Sequence, residues 1–382
     1  MHRETRAAKI TAPDPGHPVS VPLYQTANFR FDGLDEVAAA AGSPESFGYT
    51  GYTNPTTRAL EDAMADLEGG TNALVTSSGS SAVSAVLQTT LRHGDHIIAQ
   101  KALYGGTVAA FNHLIDSWGV EVTYIDGVDP MEVAEALRPT TKLLYLETIG
   151  NPIGHVPDLP GLAAEAKRHG VLTAVDSTFA TPLLCRPIEH GADIVIHSAS
   201  KYLGGHHDVI AGVAVFAGEA LYADAWKRAA NLGVIVEPFT AWLLIRSLKT
   251  LALRVDRQCS TATTLAARLA GHPAVTAVHH PGLPTHPSHA RATKLLSDYG
   301  ATFAVEVTDA RKFMGSLKLV MNTLSLGGTD TTVMHPATTS HRHLSADEQR
   351  TAGVNGNMVR IAVGVEHPDD LWTDIQQALD SL

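Results

Sequence analysis

Residues 171–216 read VLTAVDSTFATPLLCRPIEHGADIVIHSASKYLGGHHDVIAGVAVF. Three short apolar runs stand out: Val171–Val175, Ile194–His197 and Gly212–Phe216. Polar residues follow the first two at once, as Asp176-Ser-Thr and Ser198-Ala-Ser-Lys201. Apolar runs of this length, without alternation, mark strands buried on both faces. The same grammar extends upstream through Ala73–Thr76, His96–Gln100, Glu121–Ile125 and Lys142–Leu146. Helix-like stretches accompany them, at Pro55–Leu67, Ser80–Leu91 and Leu159–Arg168. Strands alternating with helices predict an α/β fold, with a mostly parallel sheet flanked by helices on both faces. Ligands of such sheets bind beyond the carboxyl ends of the strands, so the residues just after each run are where chemistry is expected.

From about residue 250 the pattern turns to helices with fewer strands. Ser260–Leu269 and Leu371–Leu379 read as helices and Ala301–Val307 alternates like a strand, which predicts a smaller C-terminal α/β domain. The first residues differ again. Thr11–Ser20 is rich in Pro and Gly, Phe47–Asn54 is aromatic and glycine-rich, and neither holds a period. We expect an N-terminal arm over 1–53 that packs on something else, a neighbouring subunit being one option. The expected division is therefore 1–53 arm, 54–250 large domain and 251–382 smaller domain.

Composition narrows the function classes. The 382 residues are 44% hydrophobic and 18% charged, enough apolar material for a sizeable core and against disorder. Lys+Arg number 28 against 39 Asp+Glu, a formal net charge of -11. Such an acidic surface repels phosphate backbones and anionic membranes, so no nucleic-acid or membrane partner is expected. Two cysteines, Cys185 and Cys259, make neither a disulfide framework nor a zinc knuckle. No stretch is apolar enough to span a membrane, and the N-terminus has no apolar leader, which predicts a cytoplasmic protein. The 20 histidines cluster most tightly at His206-His207, His286/His289 and His341/His343. Without HExxH or a nearby cysteine they predict no metal site.

Four features sit where a strand-end site requires them. Lys201 follows the run ending at His197, with Ser198 and Ser200 beside it. A lysine buried there can act as a Schiff-base amine, because burial frees the neutral form. Asp176 at the preceding strand end can hold a pyridinium N–H. Ser78-Gly79-Ser80 opens a helix, whose free N–H groups suit a phosphate. Tyr104 follows another run and offers a ring for stacking. Taken alone each has a plainer explanation: a turn lysine, a capping aspartate, ordinary Ser-Gly capping, a loop tyrosine.

Together, in this order, they resemble the pyridoxal-phosphate (PLP) enzymes of cysteine and methionine metabolism, the cystathionine γ-synthase and methionine γ-lyase-like trans-sulfuration branch. The resemblance runs from Pro22-Leu-Tyr-Gln-Thr26 to Val359–Val365 and is strongest in Asp176–Pro182 and Ser198–Val213. It implies the aspartate-aminotransferase-like fold type I of PLP-dependent transferases. It implies Lys201 as the cofactor's lysine and proton carrier, Asp176 at the ring nitrogen, and Tyr104 stacked on the ring. Gly79, Ser80, Ser198 and Ser200 match phosphate contacts, and Asn151 the residue beside the phenolic oxygen. Ser325 and Arg360 match the grip on the substrate α-carboxylate, a bidentate pairing suited to a guanidinium. Tyr49 matches a tyrosine that reaches the phosphate of the neighbouring subunit, within a homotetramer built from catalytic dimers.

The implied activity is γ-elimination or γ-replacement on methionine- or homoserine-derived amino acids through a vinylglycine-type intermediate. The alternative is a specialised γ-replacement enzyme with an unusual nucleophile or donor such as S-adenosylmethionine. A non-catalytic PLP-fold binding protein is the rival from another class. Three positions depart from the pattern. Gly51 stands where the family carries a phosphate-binding arginine, so PLP is held less tightly, Arg58 or another residue substitutes, or Gly51 opens space near the cofactor for a larger substrate. Leu324 is apolar where cystathionine lyases commonly have an acid, and Gly106 replaces the reactive cysteine of methionine γ-lyases.

Overall fold

The computed structural model describes residues 1–11, 16–41, 43–342 and 344–382. Its large sheet contains β1 (Asn72–Thr76), β2 (His96–Gln100), β3 (Glu121–Ile125), β4 (Thr141–Glu147), β5 (Leu172–Asp176), β6 (Ile194–Ser198) and β7 (Gly212–Phe216). They lie side by side in the order β1-β7-β6-β5-β4-β2-β3. β7 runs antiparallel to both β1 and β6, and the other pairs are parallel. The carboxyl ends of β1, β2, β4, β5 and β6 therefore share one edge, and the loops after them face one another. β2 and β7 are buried along their whole length, as their unbroken apolar runs require.

Helices close both faces. On one side Leu60 and Met64 of helix Pro55–Glu68 join Val175 and Val195 in a buried cluster. On the other, Val86 and Leu87 of helix Gly79–Thr90 and Phe111 of helix Gly105–Trp118 pack with Ile97, Tyr145 and Ile196. Local chemistry sets the helix ends. Asn54 Oδ1 accepts the Thr56 N–H at 2.9 Å, Pro55 occupies the first turn, and Gly69 ends the helix at φ 76°.

The second half holds more strand than its sequence pattern suggested. A five-stranded sheet is built from β8 (Val275–His279), β9 (Thr302–Val307), β10 (Met321–Asn322), β11 (Thr332–Met334) and β12 (Met358–Ala362). Its order is β10-β11-β12-β9-β8. β10 and β11 are two and three residues long, too short for any period to register. Helices Leu251–Ala270 and Pro368–Asp380 cover this sheet. The N-terminal segment is not wholly extended: Arg3–Ala8 is helical, and Ala7, Ile10 and Val21 are buried within this chain. Arg3 Nη1 donates to Pro182 O and Leu183 O, at 3.0 and 2.8 Å. Residues 12–15 of the Pro/Gly-rich stretch, and His343, lie outside the described residues.

Candidate active site

The strand ends open into a cavity of about 830 Å³. It gathers Gly79, Ser80, Tyr104, Asn151, Asp176, Ser198, Ser200, Lys201, Ser325 and Arg360. Lys201 lies just past β6, and its Nζ donates to Ser325 Oγ. Burial, then the Arg360 charge, lowers the amine from the ordinary 10.5 to about 8. Ser325 takes a left-handed backbone, φ 76°, uncommon for any residue but glycine. That conformation turns its hydroxyl to Lys201 and its carbonyl to Arg360, whose Nη2 donates to it at 2.7 Å. Arg360 is buried on β12, and its Nη1 donates to Asn151 Oδ1 at 3.3 Å. Its Nε has no partner, an unspent donor within a buried guanidinium.

Asp176 ends β5 and pairs in register with Glu147, the last residue of β4. Burial raises Asp176, while the Thr178 hydroxyl and N–H and the His197 charge pull it back. Thr178 N donates to Asp176 Oδ1 at 2.9 Å. Burial and then Asp176 hold Glu147 well above the ordinary carboxyl range. A cationic ring nitrogen set against Asp176 would return its carboxyl to the ionised form.

On the opposite wall, Ser78 caps helix Gly79–Thr90 in a reciprocal box with Ser81. The Gly79 and Ser80 N–H groups belong to the first turn, which has no intrahelical acceptors. A Cβ on Gly79 would stand 2.6 Å from Ser198 Cβ, so glycine keeps this cradle open. Ser200 Oγ already serves the Ala211 backbone, accepting its N–H at 3.0 Å and donating to its carbonyl at 3.2 Å. Tyr104 precedes helix Gly105–Trp118 and leaves its ring 44% exposed at the cavity. A Cβ on Gly106 would meet Tyr104 Cε1 at 2.4 Å, so the ring occupies the space that a cysteine there would need. An amine for an aldehyde, a carboxyl for a ring nitrogen, a helix N-terminus for a phosphate and an aromatic face are together the donor set of PLP.

Tyr49 and Gly51 do not line this chain's cavity. The Tyr49 ring folds over Gly51, where a Cβ would stand 2.2 Å from Tyr49 Cε1, and meets Tyr52 edge-on at 5.7 Å. Within this subunit the space beside Gly51 is taken by the Tyr49 ring. Arg58 does not replace the missing arginine in this chain either. It is tied to Pro44 O and flanked by Glu61 at 3.4 Å and Glu45 at 3.7 Å, away from the cavity. Leu324 stands 63% exposed on the cavity wall beside Met321.

Sequence reasoning missed Glu147, Thr178 and the wall formed by Thr339, Ser340 and Arg342. Glu147 carried a usable signal, since it directly follows the apolar run ending at Leu146. The histidine clusters spend ring nitrogens on the backbone. His206 Nδ1 is 2.8 Å from Gly204 O, His286 Nε2 2.9 Å from Ile153 O, and His289 Nδ1 2.8 Å from Pro281 O. Among the described residues no three His, Cys, Asp or Glu side chains are grouped to hold a metal ion. No helix there is long and apolar enough to cross a membrane.

The chain is similar to known proteins along nearly its whole length. An L-methionine gamma-lyase of Porphyromonas gingivalis is 41% identical over 373 residues, 95% of this chain and 93% of that one. A Cystathionine beta-lyase of Lactococcus lactis subsp. cremoris is 38% identical over 365 residues, 95% of this chain and 94% of that one. The crystal structure of cystathionine gamma synthase from Xanthomonas oryzae pv. oryzae, in complex with aminoacrylate and cysteine, superposes with a TM-score of 0.94 at 33% identity. That match covers 100% of this chain and 98% of the other. The family described as Cys/Met metabolism PLP-dependent enzyme matches residues 5–380, and with these identities and this site the chain belongs to that family of PLP-dependent enzymes.

Proposed function

We propose that this enzyme catalyses γ-elimination or γ-replacement on methionine- or homoserine-derived amino acids. The observation that carries the reading is the Lys201 amine, lowered to about 8 and joined through Ser325 to Arg360 in one cavity. PLP, when bound, supplies the electron sink that stabilises negative charge on the substrate. Arg360, whose guanidinium lines the cavity, holds the α-carboxylate. Lys201 Nζ takes the Cα proton and can return it nearby, because an amine of pKa about 8 changes charge readily near neutral pH. Asp176 would keep the ring nitrogen protonated, Tyr104 would cover the ring, and Asn151 would serve its phenolic oxygen. The Gly79 and Ser80 N–H groups and the Ser198 hydroxyl would hold the phosphate, with Ser200 joining them once its hydroxyl turns from Ala211 O.

A second reading, replacement with a bulky γ-donor or nucleophile, is favoured by the outer wall. Ile210, Met321 and Leu324 give it apolar side chains exposed toward solvent. Such a wall suits a thioether or an ester better than a second ammonium group. Methionine, cystathionine, O-acyl homoserines and S-adenosylmethionine, assayed for keto acid and for new adducts, separate the two readings. A holoenzyme that forms neither product from any of them refutes both.

The assembly follows from the same reading: a homotetramer of catalytic dimers, with Tyr49 reaching the neighbour's phosphate. Its support is that Tyr49 stays outside its own chain's cavity and is 49% exposed. The arm 1–53, the large domain 54–250 and the smaller domain 251–382 are the corresponding units. Both cysteines are free and buried, which suits a reducing cytoplasm. Light scattering on a fully active monomer would disprove the assembly.

A further inference from the structure

We infer that Glu147 is a positioning residue, whose two carboxyl oxygens fix the seat of the Tyr104 ring to the Asn151–Arg360 arm. The inference rests on the reading of the cavity as a PLP and amino-acid site. Glu147 Oε1 accepts the Tyr104 N–H at 2.6 Å, and Oε2 accepts the Asn151 N–H at 3.1 Å. Tyr104 starts its helix without a side-chain cap, and Asn151 lies buried in the turn after β4. A buried N–H deprived of its acceptor costs the full desolvation of that group.

The connection continues beyond the two amides. Asn151 Oδ1 accepts from Arg360 Nη1 at 3.3 Å, Arg360 Nη2 donates to Ser325 O at 2.7 Å, and Ser325 Oγ accepts from Lys201 Nζ. The strand end is held as well. The Glu147 N–H donates to Gln100 Oε1 at 3.2 Å, while Gln100 Nε2 donates to Ala102 O at 3.0 Å in the loop that carries Tyr104. Glu147 is thus the point where the ring's support meets the carboxylate-binding arm.

The residue type argues for the role. Two converging N–H donors need two acceptors, and a carboxyl group offers both, whereas an amide offers one and turns its NH2 toward the other donor. A second acid in register with Asp176 is electrostatically unfavourable in a buried site. A residue that only filled space would avoid that cost.

Glu147→Gln in the holoenzyme is the test, with visible circular dichroism of the bound cofactor reporting the seat of its ring. The expected result is a changed dichroic band and a KM for the amino-acid substrate raised about five- to thirtyfold, the loss of one such hydrogen bond, with a smaller change in kcat. Glu147→Asp, one methylene shorter and able to reach one donor only, is the second variant and moves both readouts the same way. A folded variant with lowered Tm but unchanged dichroism and KM overturns the inference and leaves Glu147 a scaffold residue. The dichroism needs no turnover. A wild-type holoenzyme inactive on every γ-substituted amino acid would refute the proposed function, while the dichroic band would still decide the role of Glu147.

Discussion

Lys201 carries a pH signature that follows from its surroundings. Burial, then Arg360, brings its amine down to about 8. Only the neutral amine attacks an aldehyde. At pH 7.5 an amine of pKa about 8 is roughly one-quarter neutral, and an ordinary lysine about 0.1% neutral, so the site makes this nucleophile roughly 200-fold more available. The rate of covalent PLP capture by the apo-protein, followed by stopped-flow absorbance, should rise with pH and level off above about 8. Arg360→Gln removes the smaller of the two causes, so the plateau should move upward and still fall short of the ordinary lysine value. Stability carries the same shift. A folded-state pKa below the unfolded one means that protonation favours the unfolded chain. Stability is therefore lost as pH falls from 10.5 to about 8, and the penalty is complete below that. Apo Lys201→Met should be more stable than apo wild type at pH 7 by about 1–3 kcal/mol, allowing for residual solvent at the amine. The gain should fade toward pH 10.5. A capture rate that climbs tenfold per pH unit to pH 10, or a methionine variant no more stable at pH 7, refutes the reasoning.

Three further outcomes are expected. Gly79→Ala sets a Cβ 2.6 Å from Ser198 Cβ, and should weaken PLP binding, measured by equilibrium dialysis, with little change in far-UV circular dichroism. Gly106→Cys brings a Cβ to 2.4 Å from the Tyr104 ring and should displace it, lowering kcat and altering the visible dichroism of the holoenzyme. Arg360→Lys loses the fork that reaches Asn151 and Ser325 together, and should raise KM about tenfold to hundredfold while leaving PLP affinity near wild type.

The sequence disclosed the large sheet well and the small one poorly, for a physical reason. β2, β6 and β7 are buried on both faces, so each is an unbroken apolar run that composition alone marks. β10 and β11 are two and three residues long and take their identity from pairing with distant partners, which no local pattern records. The site divides in the same way. Lys201 and Asp176 follow buried runs directly, so the strand-end rule finds them. Ser325 and Arg360 are placed by β12 and by a left-handed turn, and only the resemblance pointed to them. Glu147 was within reach of the strand-end rule. Its weight came from two backbone amides that no sequence pattern brings together.

Gly51 ties these observations to the cofactor. The resemblance places a phosphate-binding arginine there, and Arg58 does not line this chain's cavity. Arg58 is held by Glu61, Glu45 and Pro44, and the Tyr49 ring fills the space above Gly51. Arg342 is the one further arginine on the described cavity wall, with Thr339 and Ser340. On the proposed reading the phosphate rests on backbone N–H groups, serine hydroxyls and the Tyr49 hydroxyl of the neighbouring subunit. Such bonds are charge-assisted on the phosphate side only, and none supplies the bidentate cationic fork of an arginine. Retention of PLP must lean correspondingly on the covalent link to Lys201. That link is strongest where the amine is easily deprotonated, which is what burial and Arg360 arrange. A depressed lysine and a missing arginine are thus two sides of one balance, and cofactor retention in this enzyme should depend more steeply on the state of Lys201 than on any single phosphate contact.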